Sequence, residues 1–204
     1  MSRISPQSVS RSRVPLFTIG HSNHPFGHFL ELLRRHGIEA VADVRSRPYS
    51  RFVPHFSKER LGRLLADERI GYLYLGAELG GKPPTGKTPA AAMGYRSRVE
   101  QPAFRQGIDR LLGAARTQRI AMMCRERDPL DCHRLHLICR HLAPTGPDVR
   151  HILPDGDLET QGEVERRLLE RAGPAALPLF RDGAEPADRG ALERAYDAWW
   201  QRGR

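Results

Sequence analysis

The sequence predicts a single α/β domain with a mostly parallel sheet flanked by helices, followed by a C-terminal helical extension. Short apolar runs alternate with amphipathic stretches along most of the chain, which is the β-α-β-α order of such folds. The apolar runs lack an alternation of polar residues, as expected for strands that are covered on both faces. The length of 204 residues, with 39% hydrophobic residues, suits one domain of ordinary size.

The predicted elements follow one another in a regular order. The apolar runs predict strands at 16–20, 38–44, 71–75 and 120–124, with a fifth candidate at 149–153. Helical periodicity predicts helices at 25–36, 57–69, 102–116 and 129–142. Beyond residue 154 prolines interrupt the helical pieces, and the last piece, 191–200, is expected to pack back on the domain. We therefore divide the chain into a disordered basic tail, an α/β domain and a C-terminal helical extension, at residues 1–14, 15–154 and 155–204.

Cysteine usage and hydropathy predict a soluble cytoplasmic protein. Cys124, Cys132 and Cys139 lie within sixteen residues, and this odd number does not suit a secreted disulfide framework. No apolar stretch reaches the roughly 18–20 residues of a membrane helix, and no secretory signal is recognisable near the start. Residues 1–14 are rich in Ser and Arg, and their lack of an amphipathic pattern favours a solvated tail over a transit peptide. We expect no contact with a membrane.

The positive charge is concentrated in the main body of the chain. The formal net charge is +9, from 33 basic and 24 acidic residues. Residues 1–142 carry 24 basic and 12 acidic residues, a net +12, whereas residues 143–204 carry a net −3. Such a field attracts phosphates, nucleic acid or an acidic metabolite. An Arg-rich solvated surface explains the same charge, so charge alone does not define a site.

Polar side chains follow three of the predicted strands at the point where each strand ends. The three loops are 20–24 (GHSNH), 45–51 (RSRPYSR) and 124–128 (CRERD). In parallel α/β sheets, ligands bind beyond the carboxyl ends of the strands. Three loops of this composition therefore predict a site at that edge of the sheet.

The loop after the fourth strand leads into a helix with a well-marked start. Asp128 is a suitable cap and Pro129 fits the first helical position. Close behind them, the Cys132 thiolate would be favoured by His133, Arg134 and the helix dipole. The spacing of Cys132 on its helix fits a small core residue equally well, and both interpretations stay open.

Asp43 lies inside an apolar strand, where an unpaired carboxylate would be costly. It therefore needs a partner, and Arg45 or another arginine of the same loop is the nearest candidate. Such a pair fits a purely structural role as well as a functional one.

Several spaced blocks of the sequence resemble the prokaryotic domain-of-unknown-function family DUF488. They occur in the family's order at Thr18–Ser22, Asp43–Arg51, Leu79–Gly81, Cys124–Glu126 and Cys132–Arg134. The family commonly has Ala between the first Cys and the Glu, where this chain has Arg125. The resemblance covers about 16–153 and implies an α/β domain with its site at these positions, but it implies no reaction.

The site chemistry favours an enzyme acting on an anionic, phosphate-bearing substrate such as a nucleotide, nucleic acid or phosphometabolite. The candidate catalytic residues, for proton transfer or nucleophilic attack, are Cys124, Glu126, Cys132 and His133. The candidate substrate-binding residues are His21, Ser22, Asp43, Arg45, Ser46, Arg51 and Arg134. The cofactor stays open, and no residue is assigned as a metal ligand.

Two alternative functions stay open. A nucleic-acid or nucleotide-binding module without catalysis would use the stretch 45–63, which has six cations and one acid, but it has no use for a Glu and a Cys-His pair. A metal-dependent enzyme would use His and Cys ligands that converge from separate loops.

Residues 81–88 (GKPPTGKT) also fit the phosphate-loop pattern of NTPases. Pro83 and Pro84 lack the N–H groups that such a loop aims at phosphate. We therefore expect 81–95 to form an irregular exposed loop.

Overall fold

A six-stranded sheet organises the chain in the computed structural model, which describes residues 15–82, 94–144, 146–173 and 189–201. Its strands in chain order are β1 Leu16–Gly20, β2 Ala40–Asp43, β3 Gly71–Tyr74, β4 Ile120–Cys124, β5 Val149–Ile152 and β6 Leu158–Thr160. They lie in the order β3-β2-β4-β1-β5-β6, and all neighbours are parallel except β5 and β6. The predicted fold class, an α/β domain with a mostly parallel sheet flanked by helices, is confirmed.

Helices connect and cover the strands. The α-helices are α1 Phe26–Arg35, α2 Lys58–Asp67, α3 Gly76–Leu79, α4 Tyr95–Val99, α5 Pro102–Ala115, α6 Arg140–Leu142, α7 Gln161–Ala172 and α8 Arg189–Gln201. Short 3₁₀ turns occupy Pro54–Phe56 and Pro129–Asp131. Helices α7 and α8 lie in the C-terminal helical extension predicted for 155–204, where strand β6 was not predicted. Thr160 and Glu163 form a full capping box at the start of α7.

The single helix predicted for 129–142 is wrong. The 3₁₀ turn at Pro129–Asp131 ends at Cys132, whose backbone is extended (φ −125°, ψ 139°). A π-helical segment, Arg134–Cys139, begins two residues later and continues into α6. The extended Cys132 separates the two, so a 3₁₀ turn and a π-helical segment that runs into α6 replace one regular helix.

The core lies in two layers because successive strand residues point to opposite faces of the sheet. Val41, Ala121 and Met123 pack beneath α1 and α2, with Phe29 and Leu65. A second cluster lies on the other face and contains side chains from α5, the π-helical segment and the C-terminal helices α7 and α8, together with Ile120, Met122 and Cys124. Cys124 therefore faces the layer that carries Cys132.

Several predictions fall on residues outside those described, namely the tail at 1–14 and residues 83–93 of the predicted loop. The C-terminal prolines at 174, 178 and 186 lie outside them as well. Among the described residues, no helix has both the length and the apolar character needed to cross a membrane.

Candidate functional site

The carboxyl ends of three neighbouring strands meet at one edge of the sheet, as predicted. Gly20 lies opposite Cys124, and Asp43 lies opposite Met123. Beyond the strands, the N–H of His21 donates to the Cys124 carbonyl at 2.9 Å. The loops after β1, β2 and β4 therefore leave the sheet side by side.

Four side chains with metal-binding chemistry lie together at this edge. The ligand atoms of Cys124, Glu126, Cys132 and His133 are all within 4.8 Å of one another. Glu126 Oε2 lies 2.9 Å from Cys124 Sγ and 3.2 Å from Cys132 Sγ, while His133 Nδ1 lies 3.4 Å and 3.9 Å from the same two sulfurs. These are the four residues that the sequence predicted as the catalytic group.

The two ring nitrogens of His133 have different partners. Its Nε2–H donates to the Val44 carbonyl at 3.0 Å, which fixes the ring and leaves the lone pair of Nδ1 for the two sulfurs. The backbone N–H of Arg134 donates to Cys132 Sγ at 3.4 Å. Groups that orient ligands in this manner surround metal sites in proteins.

The two cysteines of the cluster differ in acidity. Burial, reinforced by the neighbouring Cys132, raises the pKa of Cys124 well above its ordinary value. Burial also opposes ionisation of Cys132, but the Cys124 thiol, Arg134 and His133 together lower its pKa well below that value. Cys132 is therefore the thiol that ionises first.

Burial lowers the pKa of His133, but the interactions of the ring with Cys132 and Glu126 outweigh burial and raise the pKa above its ordinary value.

Arg134 lies behind the cluster, although the sequence predicted it as an anion-binding residue. Its side chain is fully buried, and its two terminal nitrogens donate to the carbonyls of Glu126 (2.7 Å) and Arg127 (3.0 Å). Burial lowers its pKa, but Cys132 and Cys124 outweigh this effect and raise it, so the guanidinium stays charged. Arg134 holds the loop after β4 in place and supplies a positive charge beneath the two thiols.

Asp43 and Arg45 form the buried pair that the sequence predicted. The guanidinium binds the carboxylate in a bidentate manner, at 2.8 Å and 2.6 Å, and also donates to the Phe56 carbonyl at 2.7 Å. Tyr72 donates a further hydrogen bond to Asp43 at 2.6 Å. Arg45 also donates to Nε2 of His21 at 3.0 Å, so that the other ring nitrogen of His21 donates to the Ser22 carbonyl.

Burial, aided by the charge of Arg45, lowers the pKa of His21 to about 4. At neutral pH the ring is therefore uncharged and can accept the hydrogen bond from Arg45.

Two glycines allow loops to approach the cluster closely. A Cβ on Gly20 would overlap the carbonyl oxygen of Glu126, and a Cβ on Gly81 would lie 2.9 Å from Cγ of His133. The neighbouring Ser46 accepts a hydrogen bond from the N–H of Lys82 at 2.9 Å. The segment Gly80–Lys82 thus covers His133, and a Cβ at either glycine would force a neighbouring group to move.

The sequence model of one protein family, described as domain of unknown function DUF488, matches residues 26–140, which is more than half of the chain. The chain belongs to the DUF488 family. No curated protein and no solved structure matches it. The family resemblance predicted from the sequence is confirmed. The matched span of this DUF488 protein contains the whole four-residue cluster, whereas β1 and His21 precede it.

Two further residues predicted for the DUF488 site lie in the loops after β1 and β2. Ser22 is half-buried and donates to Asn23, and Arg51 is exposed in the loop after β2. Sequence reasoning did not identify Tyr72, and it included Gly81 only in a block of the family resemblance, without a role for that residue. A tyrosine in a strand and a glycine in a loop are ordinary residues, so only the contacts across the sheet identify their roles.

A wide surface depression of about 650 Å³ lies at the opposite edge of the DUF488 sheet, around the starts of β2, β3 and β4. Arg34 pairs there with Glu68, and Glu39 accepts from the backbone N–H of Arg119 at 2.6 Å. The cluster at the carboxyl edge, which brings two thiols, an imidazole and a carboxylate together, is the better candidate site.

Proposed function

We propose that this DUF488 protein is a metal-dependent enzyme whose catalytic centre is a zinc-type divalent cation held by Cys124, Cys132, His133 and Glu126. The observation that carries the proposal is the spacing of the four ligand atoms. Ligand bonds of about 2.0–2.3 Å in a tetrahedral zinc site put neighbouring ligand atoms roughly 3.3–3.8 Å apart. The distances between sulfur and nitrogen or oxygen in the cluster run from 2.9 to 3.9 Å.

The chemistry of the ligands supports the same cation. Zinc accepts thiolate, imidazole and carboxylate ligands, and mixed sulfur and nitrogen sites with tetrahedral geometry are typical of it. Two thiolates and a carboxylate carry three negative charges, which a divalent cation and the buried Arg134 guanidinium would balance. The fixed Nε2–H bond of His133 to Val44 presents Nδ1 as the ligand atom.

Glu126 is the ligand suited to leave the cation and act on substrate. Its side chain is 30% exposed, whereas Cys124, Cys132 and His133 are buried. A site with two cysteines, one histidine and one open position is a known catalytic arrangement for zinc. The cation would lower the pKa of a bound water. The Glu126 carboxylate would then take up the proton as a general base.

The substrate proposed for this centre is an anionic, phosphate-bearing molecule, and the reaction is a hydrolysis. Exposed cations occur in the loop after β2, in the segment Gly80–Lys82 and in the loop after β4, at Arg47, Lys82, Arg125 and Arg127. Arg45 and Arg134 are engaged with protein groups, so these exposed residues would bind the anion instead. Thiolate ligands need a reducing compartment, which supports a location in the cytoplasm.

The three cysteines allow a matched test, because Cys139 is also fully buried but lies outside the cluster. We expect the purified protein to bind about one equivalent of zinc. The cobalt form should show sulfur-to-cobalt charge-transfer absorption. Cys124→Ala and Cys132→Ala should lose both the stoichiometric metal and this absorption, whereas Cys139→Ala should keep them. Elemental analysis measures the bound metal, and absorption spectroscopy measures the charge-transfer band of the cobalt form.

Glu126→Gln separates metal binding from catalysis. We expect this variant to retain the cation on Cys124, Cys132 and His133, with a lower affinity than the wild type, and to lose metal-dependent hydrolysis of bis(p-nitrophenyl) phosphate. If the wild-type protein binds no zinc or cobalt under reducing conditions, or if Cys139→Ala loses the metal as fully as Cys132→Ala, the proposal is wrong.

A further inference from the structure

The loop after β2 displays two large aromatic rings to solvent. Three large hydrophobic side chains are exposed among the described residues, and two of them, Tyr49 (76% exposed) and Phe52 (80%), lie three positions apart in this loop. Arg47 and Arg51, both exposed, alternate with them, and the guanidinium of Arg51 lies 4.7 Å from the centre of the Phe52 ring. Exposing two rings is unfavourable unless a partner covers them.

The backbone of this aromatic-basic segment, residues 47–52, is held in a defined shape. The Pro48 carbonyl accepts from the N–H of Lys58 at 2.8 Å, and the Ser50 hydroxyl accepts from the N–H of Val53 at 3.2 Å. The segment is thus tied to the start of α2 and to itself. A ring presented on a fixed backbone loses less conformational entropy when it binds a flat partner.

The positive charge around the segment indicates which class of partner it binds. On the adjoining helix α2, Arg60 and Arg63 are exposed, and Lys58 lies 4.2 Å from the ring of Tyr74. The stretch 45–63 has six cations and one acid. Aromatic rings alternating with cations match the two parts of a single nucleic-acid strand, whose bases stack and whose phosphates carry the negative charge. A duplex hides its bases, and an acidic polypeptide has no flat rings in register with its charges.

We propose that residues 47–52 are a binding surface for single-stranded nucleic acid, in which Tyr49 and Phe52 stack on bases and Arg47 and Arg51 bind phosphates. The segment begins directly after Ser46, which contacts Gly80 and Lys82 at the rim of the four-residue cluster. A bound strand would therefore pass beside that cluster. The binding itself uses only residues of the loop and does not rest on the proposed metal centre.

The test is fluorescence anisotropy of a labelled oligothymidylate with the full chain, in the presence of EDTA so that metal binding plays no part. We expect Tyr49→Ala and Phe52→Ala each to weaken binding by roughly 5–100-fold without changing the salt dependence. Arg51→Ala should weaken binding and reduce the slope of log affinity against log salt by about 1. Arg116→Ala removes the same charge from an exposed position before β4, at the opposite edge of the sheet, and should change the affinity less than about twofold.

Three outcomes would overturn the proposal. The first is an unchanged affinity in both aromatic variants, which would leave only a charge effect. The second is duplex DNA that binds as tightly as the single strand. The third is polyglutamate that competes as effectively as unlabelled oligothymidylate, which would make the segment a general polyanion site. Because all four substituted side chains are exposed, circular dichroism should show that every variant folds.

Discussion

At the scale of single residues, the edge of the sheet that carries the site is held by a buried ion pair. Asp43 is fully buried and accepts hydrogen bonds from Arg45 and Tyr72. Arg45 in turn holds His21 and the Phe56 carbonyl. The pair joins the loops after β1 and β2 to the turn before α2. Both side chains of the pair bind protein groups, so the pair fixes the loops at the edge of the site and does not bind substrate.

Breaking this pair should therefore cost folding stability. Asp43→Asn leaves the Arg45 guanidinium buried without its counter-charge, and we expect the free energy of unfolding to fall by about 3–5 kcal/mol. The control is Glu68→Gln, which breaks the partly exposed pair with Arg34 and should cost less than about 1 kcal/mol. Urea denaturation followed by circular dichroism compares the two. Equal losses in both variants would contradict the structural role of Asp43.

At the scale of elements, the break between the 3₁₀ turn and the π-helical segment creates the cluster. Because Cys132 is extended, its thiol turns toward Cys124 at the end of β4, and His133 reaches the Val44 carbonyl at the end of β2. The segment Gly80–Lys82 then covers His133 from the other side. The four ligand atoms therefore meet only because the ends of β2 and β4, the extended Cys132 and the segment Gly80–Lys82 pack together.

Gly81→Ala tests this covering contact. The added Cβ would lie 2.9 Å from Cγ of His133, so the imidazole must shift. We expect zinc affinity to fall by roughly tenfold, the effect of disturbing a group that orients a ligand. Gly113→Ala is the control, because a Cβ there meets nothing within 4 Å. It should leave zinc affinity unchanged, as measured by competition with a chromogenic chelator. A zinc affinity that is the same in both variants would show that Gly81 does not position His133.

At the scale of the whole molecule, the C-terminal helices complete the layer that backs the site. Leu168 and Leu169 of α7 and Tyr196 and Trp200 of α8 pack in the same core cluster as Cys132. His151 of β5 links the two parts: one ring nitrogen bonds to Thr18 of β1 at 2.9 Å and the other to Gln161 of α7 at 3.1 Å. A polar residue thus joins the sheet to the extension inside the core.

His151 should make the folded state sensitive to acid. Burial, aided by the charge of Arg134 and opposed by the smaller effect of the hydrogen bond to Gln161, lowers its pKa from 6.5 to about 3. A lowered histidine pKa favours the neutral form in the folded state, so its stabilising contribution is present above about pH 6.5 and is lost progressively as pH falls toward 3. At about pH 5 the loss amounts to about 2 kcal/mol.

The measurement compares the wild-type protein with His151→Gln, which retains a polar side chain that does not titrate. Between pH 7 and about pH 5 the free energy of unfolding should fall by about 2 kcal/mol more in the wild type than in the variant. Parallel pH profiles for the two proteins would mean that folding does not lower the pKa of His151.

Much of the fold could be predicted because its signals are local. The strands β1 and β4 were predicted at their observed bounds, since buried parallel strands are short apolar runs with little ambiguity. The same pattern indicated which edge of the sheet carries the polar loops. Strand β6 and the break at Cys132 escaped prediction. An exposed edge strand of three residues has no apolar signal, and hydrophobic periodicity continues through the break.

The sequence by itself determined the fold class, the sheet edge that carries the candidate site and the four side chains at its centre. It also predicted that Asp43 needs a partner, with Arg45 or another arginine of the same loop as the candidate, and the structure assigns Arg45. Only the tertiary structure decided that the thiols, the imidazole and the carboxylate lie at the spacing of metal ligands, and that Arg134 faces inward. These facts depend on strand register and on contacts between residues about 90 positions apart, such as His133 with Val44. Local residue patterns carry no information about such distances.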